Sequence, residues 1–296
     1  MIHYDHCPVC GASDIHPALE AKDHTVSGQT FAIWHCDGCT ARFTQDVPGK
    51  EDIGPYYQSD AYISHSDTKD GLVNSLYHKV RSYTLQSKRT LVERSAGKPT
   101  GHLLDIGCGT GAFLHTMAQA GWTVKGLEPD EGARERAASL YGLQVASTEA
   151  LFQLPPASYD VITLWHVLEH VHDLKAYVDH FRALLKPGGT LIIAVPNYTS
   201  LDAARYGSSW AAYDVPRHLY HFSPASMDRL LQPAGLTVTG LKPMWFDSFY
   251  VSMLSERYLN GHDNLLGAVF TGLRSNLKAW GNTGKCSSVI YIAKGV

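Results

Sequence analysis

Between residues 100 and 243 the hydrophobic pattern changes period repeatedly. Short apolar runs at 103–106, 122–128, 143–146, 159–164, 190–195 and 236–241 have strand length. They are separated by stretches at 112–120, 131–141, 174–185 and 225–234 in which apolar residues recur every three or four positions. Such alternation predicts strands joined by crossover helices, and so a largely parallel sheet covered on both faces. The punctuation agrees. Gly121, Gly142 and Gly235 stand just past helices, where a C-cap wants a left-handed residue. Ser223-Pro224 reads as an N-cap with Pro at N1, and Lys186-Pro187-Gly188-Gly189 closes another helix.

The flanks are patterned differently. Residues 72–96 show helical spacing (Leu72, Leu76, Val80, Tyr83), predicting one or two helices before the first strand. The basic Lys79, Arg81, Lys88, Arg89 and Arg94 fall on other faces and read as solvated, with Lys88 or Arg89 able to reach a substrate acid. Residues 244–285 are helical by pattern (Phe249, Met253, Leu254; Leu265, Val269, Phe270, Leu273), an insertion that could roof a pocket or form a dimer contact. The run 287–293 is a last strand. Residues 47–66 are rich in Tyr, Gly and Pro, which suits a linker or a cap carrying Tyr62 and His65 over a pocket. The expected division is therefore 1–47 as a small module, 48–98 as linker and cap helices, and 99–296 as the main domain.

Composition narrows the function. The chain has 296 residues, a net charge of −3 and an apolar fraction of 44%. That is room for one large α/β domain and an appendage, without the basic footprint that nucleic-acid binding usually shows. No apolar run reaches the roughly 18 residues of a membrane span. Residues 1–6 carry no signal pattern, so a cytoplasmic location is expected and the six cysteines call for something other than disulfides. Four of them form two Cys-x-x-Cys pairs, Cys7/Cys10 and Cys36/Cys39, with Gly11 and Gly38 read as the turn residues. Four thiolates complete a closed tetrahedral zinc site, which would be structural and would help fold so small a module. Two disulfides or a redox pair are the alternatives that the spacing leaves open.

The chemistry centres on Leu103-Leu104-Asp105-Ile106-Gly107-Cys108-Gly109-Thr110-Gly111, a strand, a tight turn of alternate glycines and a helix start. Glycines let a ligand approach main chain that no Cβ shields, and the free N–H groups of the next helix face it. Glu128 ends the second strand 23 residues after Asp105, placed to accept from ribose hydroxyls. With Pro129, with Trp165-His166-Val167-Leu168-Glu169-His170 after the fourth strand, and with Pro187-Gly188-Gly189 before the fifth, these motifs resemble the class I S-adenosylmethionine (SAM)-dependent methyltransferases. The small-molecule branch, which includes ubiquinone-type O-methyltransferases, is the nearest in pattern. The resemblance covers about residues 100 to 243 and the last strand. It implies a Rossmann-like seven-stranded sheet with an antiparallel last strand. It also implies SAM contacts at Asp105, Gly107, Cys108, Gly109, Gly111, Glu128, Pro129, Trp165 and His166. Adenine contacts would fall at Thr148 or Glu149, where the family's common Asp is absent.

One loop after the fifth strand is dense in acids and bases: Tyr213, Asp214, Arg217, His218, Tyr220 and His221. SAM carries an activated methyl group, so the protein must orient an acceptor and take its proton. His218 and His221 are the first candidates for that base, His166 and His170 the next, with Tyr213 and Tyr220 beside them. Arg217 either faces the substrate or pairs with Asp214. A small-molecule acceptor and O- or C-methylation are expected, with zinc structural and the oligomeric state open. An RNA or protein methyltransferase using the ribbon to bind its substrate, or a non-catalytic SAM-binding protein, are the alternatives.

Overall fold

The computed structural model describes residues 1–58 and 72–295. Tyr62 and His65 lie outside the described residues. The chain opens with an antiparallel hairpin of β1 (Ile15–Lys22) and β2 (Thr30–Cys36). Asp23 closes its turn, accepting from the N–H groups of Thr25, Val26 and Ser27 and from the Ser27 hydroxyl. This is the local competition for backbone donors that makes Asp a turn former. β3 (Arg42–Thr44) pairs with β2. The first knuckle turns at Gly11, φ +81°, as expected. In the second, Thr40 takes the left-handed conformation (φ +62°), while Gly38 serves by size, since a Cβ there would lie 3.0 Å from Ala12 Cβ.

A single helix, α1 (Leu72–Ala96), leads into the main sheet. There follow β4 (His102–Ile106), α2 (Ala112–Gln119), β5 (Thr123–Leu127), α3 (Glu131–Tyr141), β6 (Val145–Ala146) and β7 (Tyr159–Trp165). Next come α4 (Leu174–Leu184), β8 (Leu185–Pro196), α5 (Leu201–Tyr206), β9 (Tyr220–His221), α6 (Pro224–Leu231) and β10 (Leu236–Pro243). The chain ends with α7 (Asp247–Asn260), α8 (Leu265–Trp280) and β11 (Ser288–Gly295). Seven strands form one sheet in the order β10-β11-β8-β7-β4-β5-β6. β4 to β8 run parallel in it, and β11 is antiparallel to both of its neighbours.

Period 2 sorts the strand residues to two faces. Leu103, Val161, Ile192 and Ile290 meet Val92 of α1 and Phe113, Leu114 and Met117 of α2. Leu104, Ile106, Ile162, Leu164, Leu191 and Ile193 meet Val178, Phe181 and Leu184 of α4 and Met227, Leu230 and Leu231 of α6. Both faces are covered, as a parallel sheet requires.

The N-terminal hairpin does not stand apart. Its sheet has the order β1-β2-β3-β9, so its fourth strand comes from the loop after β8, with Arg42 opposite His221 and Phe43 opposite Tyr220. One side of this sheet (Cys7, Val9, Cys36, Cys39, Phe43) joins the main core. Phe31 and Ile33 on the other pack with Tyr206, Trp210, Tyr213 and Val215, and with Val251 of α7.

Arg217 fastens the two regions. Its guanidinium, 1% exposed, donates to Asp214 (Nη2 at 2.6 Å, Nε at 3.0 Å), to Asp23 Oδ1 (3.2 Å), to the Thr25 hydroxyl (3.0 Å) and to the Tyr56 carbonyl (2.8 Å). Every face of the fork is bonded to protein, so the expectation that Arg217 faces the substrate gives way to its pairing with Asp214. Removing one partner of a buried pair leaves the others uncompensated. Arg217→Ala is therefore expected to cost about 3–5 kcal/mol of stability, read as a lowered denaturant midpoint with unchanged slope. A loss within ~0.5 kcal/mol would show that the guanidinium is not holding the two regions together.

Candidate cofactor and acceptor site

The carboxyl ends of β4, β5 and β7 converge on one edge of the sheet, and each brings a charged or polar side chain there. At the end of β4, Asp105 is buried and accepts from the Thr163 hydroxyl at 2.6 Å. Burial pushes its carboxyl up to about 7, against the Thr163 bond and the attraction of Lys88. Lys88 comes from α1 and lies 4.2 Å from the ring centroid of Trp165, a cation over a π face. The basic face of α1 is thus not solvated at this position. Burial lowers the Lys88 ammonium pKa, while Asp105 and Asp247 pull it upward.

The glycine turn is tied to the second strand. The N–H groups of Gly107 and Cys108 donate to the Leu127 carbonyl at 2.7 and 3.1 Å. Glu128 is pinned by both oxygens, accepting from Gly109 N–H (2.8 Å) and Asp130 N–H (3.1 Å). Gly107, Gly109 and Gly111 all have positive φ (67°, 56°, 82°), and Gly111 caps α2. What a Cβ would meet differs. At Gly107 it would collide with Val167, and at Gly111 it would fall 2.9 Å from Leu143, whereas at Gly109 it meets nothing within 4 Å. Gly107 and Gly111 are small because protein fills the space, whereas Gly109 has open space where a Cβ would lie.

After β7 the chain turns at His166, a non-glycine residue at φ +58°. Its Nε2 is 3.0 Å from Asp247 of α7 and its Nδ1 3.4 Å from Glu169. Burial works to lower its pKa, but the bonds to Asp247 and Glu169 prevail and raise it to about 10. His166 is an imidazolium between two carboxylates, which removes it from the candidates for a base.

Glu169 lies between the end of β7 and the loop after β8. Its carboxylate is fully buried, and one of its oxygens, a ring nitrogen of His170 and a ring nitrogen of His218 lie within 4.8 Å of one another. His218 has Nδ1 2.9 Å from the Ala212 carbonyl and its ring edge-to-face with His170, centroids 4.5 Å apart. His170 has Nδ1 3.0 Å from both the Arg217 carbonyl and the Tyr57 hydroxyl. Burial, and then the neighbouring His218, hold its pKa down to about 4, so it stays neutral. His221 is elsewhere: inside the N-terminal sheet, against the Thr44 hydroxyl (3.2 Å) and with its ring perpendicular to that of Tyr213. Tyr213 accepts from Arg42 Nη1 at 2.7 Å, and Tyr220 donates to the His172 carbonyl at 3.1 Å. These three hold the sheet together. Thr148 opens a short 3-10 helix after β6 (Thr148–Gln153), and Glu149 is exposed beside Lys50.

The four knuckle cysteines converge. Cys7 Sγ is 3.6 Å from Cys39 Sγ, and Cys10 Sγ is 3.6 Å from Cys36 Sγ. Four sulfurs about 2.3 Å from a zinc ion would be about 3.8 Å apart, so this arrangement fits a tetrahedral ion.

A doubly wound sheet in this strand order, with a glycine turn after its first parallel strand and an acid at each of the first two strand ends, defines a class I SAM-dependent methyltransferase. Sequence comparison agrees: the family model described as "Methyltransferase domain" matches residues 77–241, and the chain belongs to that family. It is 30% identical over 194 residues to a ubiquinone biosynthesis O-methyltransferase of Methylococcus capsulatus, covering 60% of this chain and 78% of that one. It is 32% identical over 179 residues to the enzyme of the same name from Ralstonia nicotianae, covering 57% and 73%. Among solved structures it superposes on 1,6-didemethyltoxoflavin-N1-methyltransferase of Burkholderia thailandensis with a TM-score of 0.50 and 17% identity, covering 93% of this chain and all of the other. Phosphoethanolamine N-methyltransferase 2 of Haemonchus contortus gives 0.53 and 16%, covering 86% and 61%. These two likenesses establish the fold alone. Among the described residues no helix is long and apolar enough to cross a membrane.

Two measurements check this geometry. Gly109→Ala puts strain of about 1–2 kcal/mol on a left-handed residue and a methyl group into open space. It is expected to weaken SAM more than it lowers stability. Gly107→Ala adds the collision with Val167, so its stability should fall further. Calorimetry and denaturant melts showing the reverse order would refute the assignment of the open side. The second concerns His166, whose folded pKa lies above the unfolded value of about 6.5. Its contribution to stability is then full below that value and vanishes as pH rises through about 10. The stability gap between wild type and His166→Gln should be widest near pH 6 and close above pH 10. A His166 ring resonance titrating near 6.5 would contradict the two-carboxylate clamp.

Proposed function

We propose that this methyltransferase transfers a methyl group from SAM to a hydroxyl of a small-molecule acceptor, with His218 taking the proton. The observation that carries the reading is the buried Glu169 carboxylate, which lies 3.4 Å from His166 Nδ1 on one side and within 4.8 Å of ring nitrogens of His170 and His218 on the other. That line of groups leads from the end of β7 to the acceptor-side loop. His170 stays neutral and packs against His218, and Glu169 offers the negative charge that stabilises a protonated imidazole. The relatives named as O-methyltransferases favour oxygen as the acceptor atom. His221 drops behind His218 because its ring is enclosed in the N-terminal sheet.

Asp105, Gly107, Cys108, Gly109, Gly111, Glu128, Pro129, Trp165 and His166 would hold SAM, with Thr148 and Glu149 nearest the adenine end. The cofactor supplies the activated methyl group. The chain's part is to orient the acceptor and remove its proton. Glu128→Ala is expected to weaken SAM by about 1–3 kcal/mol, and loss of the Gly109 anchor adds to the effect. His218→Ala should lower kcat by about 10²–10⁴ with SAM affinity unchanged, and should abolish the rising limb of the pH–rate profile. The assay is S-adenosylhomocysteine release on a panel of phenols and alcohols. Near-normal kcat in His218→Ala would end the base assignment. Release only with RNA or protein would favour the alternative acceptors, and no release with any would favour a binding protein.

Cys7, Cys10, Cys36 and Cys39 are proposed to hold a structural zinc ion, on the sulfur spacing above. One zinc per chain is expected, lost in Cys36→Ser together with the β3–β9 pairing. A second ion would assign Glu169, His170 and His218 to metal binding instead of proton transfer, a role their spacing also suits.

A further inference from the structure

α8 is apolar on two opposite faces, and the larger residues are on the outer one. Ala268, Thr271, Gly272, Ser275 and Ala279 are buried. Gly272 lies against the ring of Phe249 in α7, where a Cβ would come within 2.7 Å, and Ser275 donates to Asp202 of α5. On the outer face Leu266, Phe270, Leu273, Leu277 and Trp280 are 85%, 58%, 50%, 70% and 82% exposed. A surface helix ordinarily turns its large apolar residues inward and its small or polar ones to water. α8 does the opposite.

The exposed residues are spaced four, three, four and three apart, which is the period of a seam that packs against another helix. The ends of the row are symmetric about Leu273: Leu266 and Trp280 each lie seven residues from it, and Leu277 has Val269 at the matching distance on the other side. An antiparallel two-fold axis at Leu273 therefore sets the Leu266 of one copy beside the Trp280 of the other. Leu265, Val269 and Trp245 border the row, and the Trp245 and Trp280 ring centroids are 6.3 Å apart. Together these residues expose on the order of 1,000 Å², enough to supply the roughly 800 Å² per partner that a standard stable interface buries. α8 carries only Arg274 and Lys278 as charges. A lipid surface would be matched by a broader apolar stripe and more cations.

We propose that this chain forms a homodimer in which α8 packs antiparallel against α8 of a second copy, centred on Leu273. The seam is separate from the acceptor site and does not depend on the function proposed above.

Sedimentation velocity on the full chain, from low to high micromolar concentration, should show a monomer–dimer equilibrium. Leu273→Glu combined with Leu277→Glu should raise the dimer dissociation constant roughly a hundredfold or more, with circular dichroism and S-adenosylhomocysteine affinity unchanged. Mild oxidation should cross-link Leu273→Cys to itself beyond the wild-type background. It should join Leu266→Cys to Trp280→Cys only when the two variants are mixed. A monomer at every concentration overturns the proposal, as does a dimer that the double variant leaves intact. A monomer that co-sediments with phosphatidylglycerol vesicles assigns the face to lipid and overturns it too. Self-linking of Leu266→Cys overturns the antiparallel arrangement.

Discussion

The buried guanidinium of Arg217 fixes how the two halves of the molecule meet. Asp23 belongs to the hairpin turn at the start of the chain, and Asp214 to the loop after β8. A charge so deep in protein is stable only with its partners in place, and two carboxylates and two further oxygens define one position for it. Its value is geometric more than energetic, since the desolvation of three ions offsets much of their attraction. With Arg217 placed, the neighbouring residues follow. His218 is brought beside His170, and Tyr220 and His221 are left in register to extend β3. The N-terminal module is in this sense tied to the His170–His218 pair, although its cysteines are about 180 to 210 residues away in sequence from His218.

The cofactor side is ordered by a different device. Glu128 spans from the second strand back to Gly109, so the turn is held before any ligand arrives. Such preorganisation leaves less ordering to be done on binding. The charges around it alternate. Asp105 faces Lys88, Lys88 lies over Trp165, and the next residue, His166, is held cationic by Asp247 and Glu169. The positive φ of His166 is a local cost that this double ion pair offsets.

Period and punctuation made the main sheet legible in the sequence. α3 was readable to the residue because Asp130 caps its start and Gly142 its end, and the glycine turn announced the cofactor edge. What the sequence concealed depends on long-range packing. β9 is two residues long, too short for any period, and exists only because β3 offers it an edge. Arg217 could be read as facing substrate or as pairing with Asp214, because its second carboxylate is 194 positions away. Lys88 was one of several cations on a helix, and only the end of the sheet above it distinguishes it from the solvated ones. Asp247 gave no signal at all, being one acid at the start of a helix with no local partner.

The insertion between β10 and β11 shows why such residues escape local reading. α7 begins at the site, where Asp247 bonds His166, and its next turn packs Phe249 into the space that Gly272 leaves in α8. The small residues of α8 are thus a requirement of α7, and α7 in turn is positioned by a charge at the end of β7. Having given its inner face to close packing, α8 has nowhere inside to place its leucines, phenylalanine and tryptophan. The same sequence pattern that reads as an ordinary amphipathic helix therefore has the opposite sense in three dimensions. Its apolar row faces outward because the inner position is already filled.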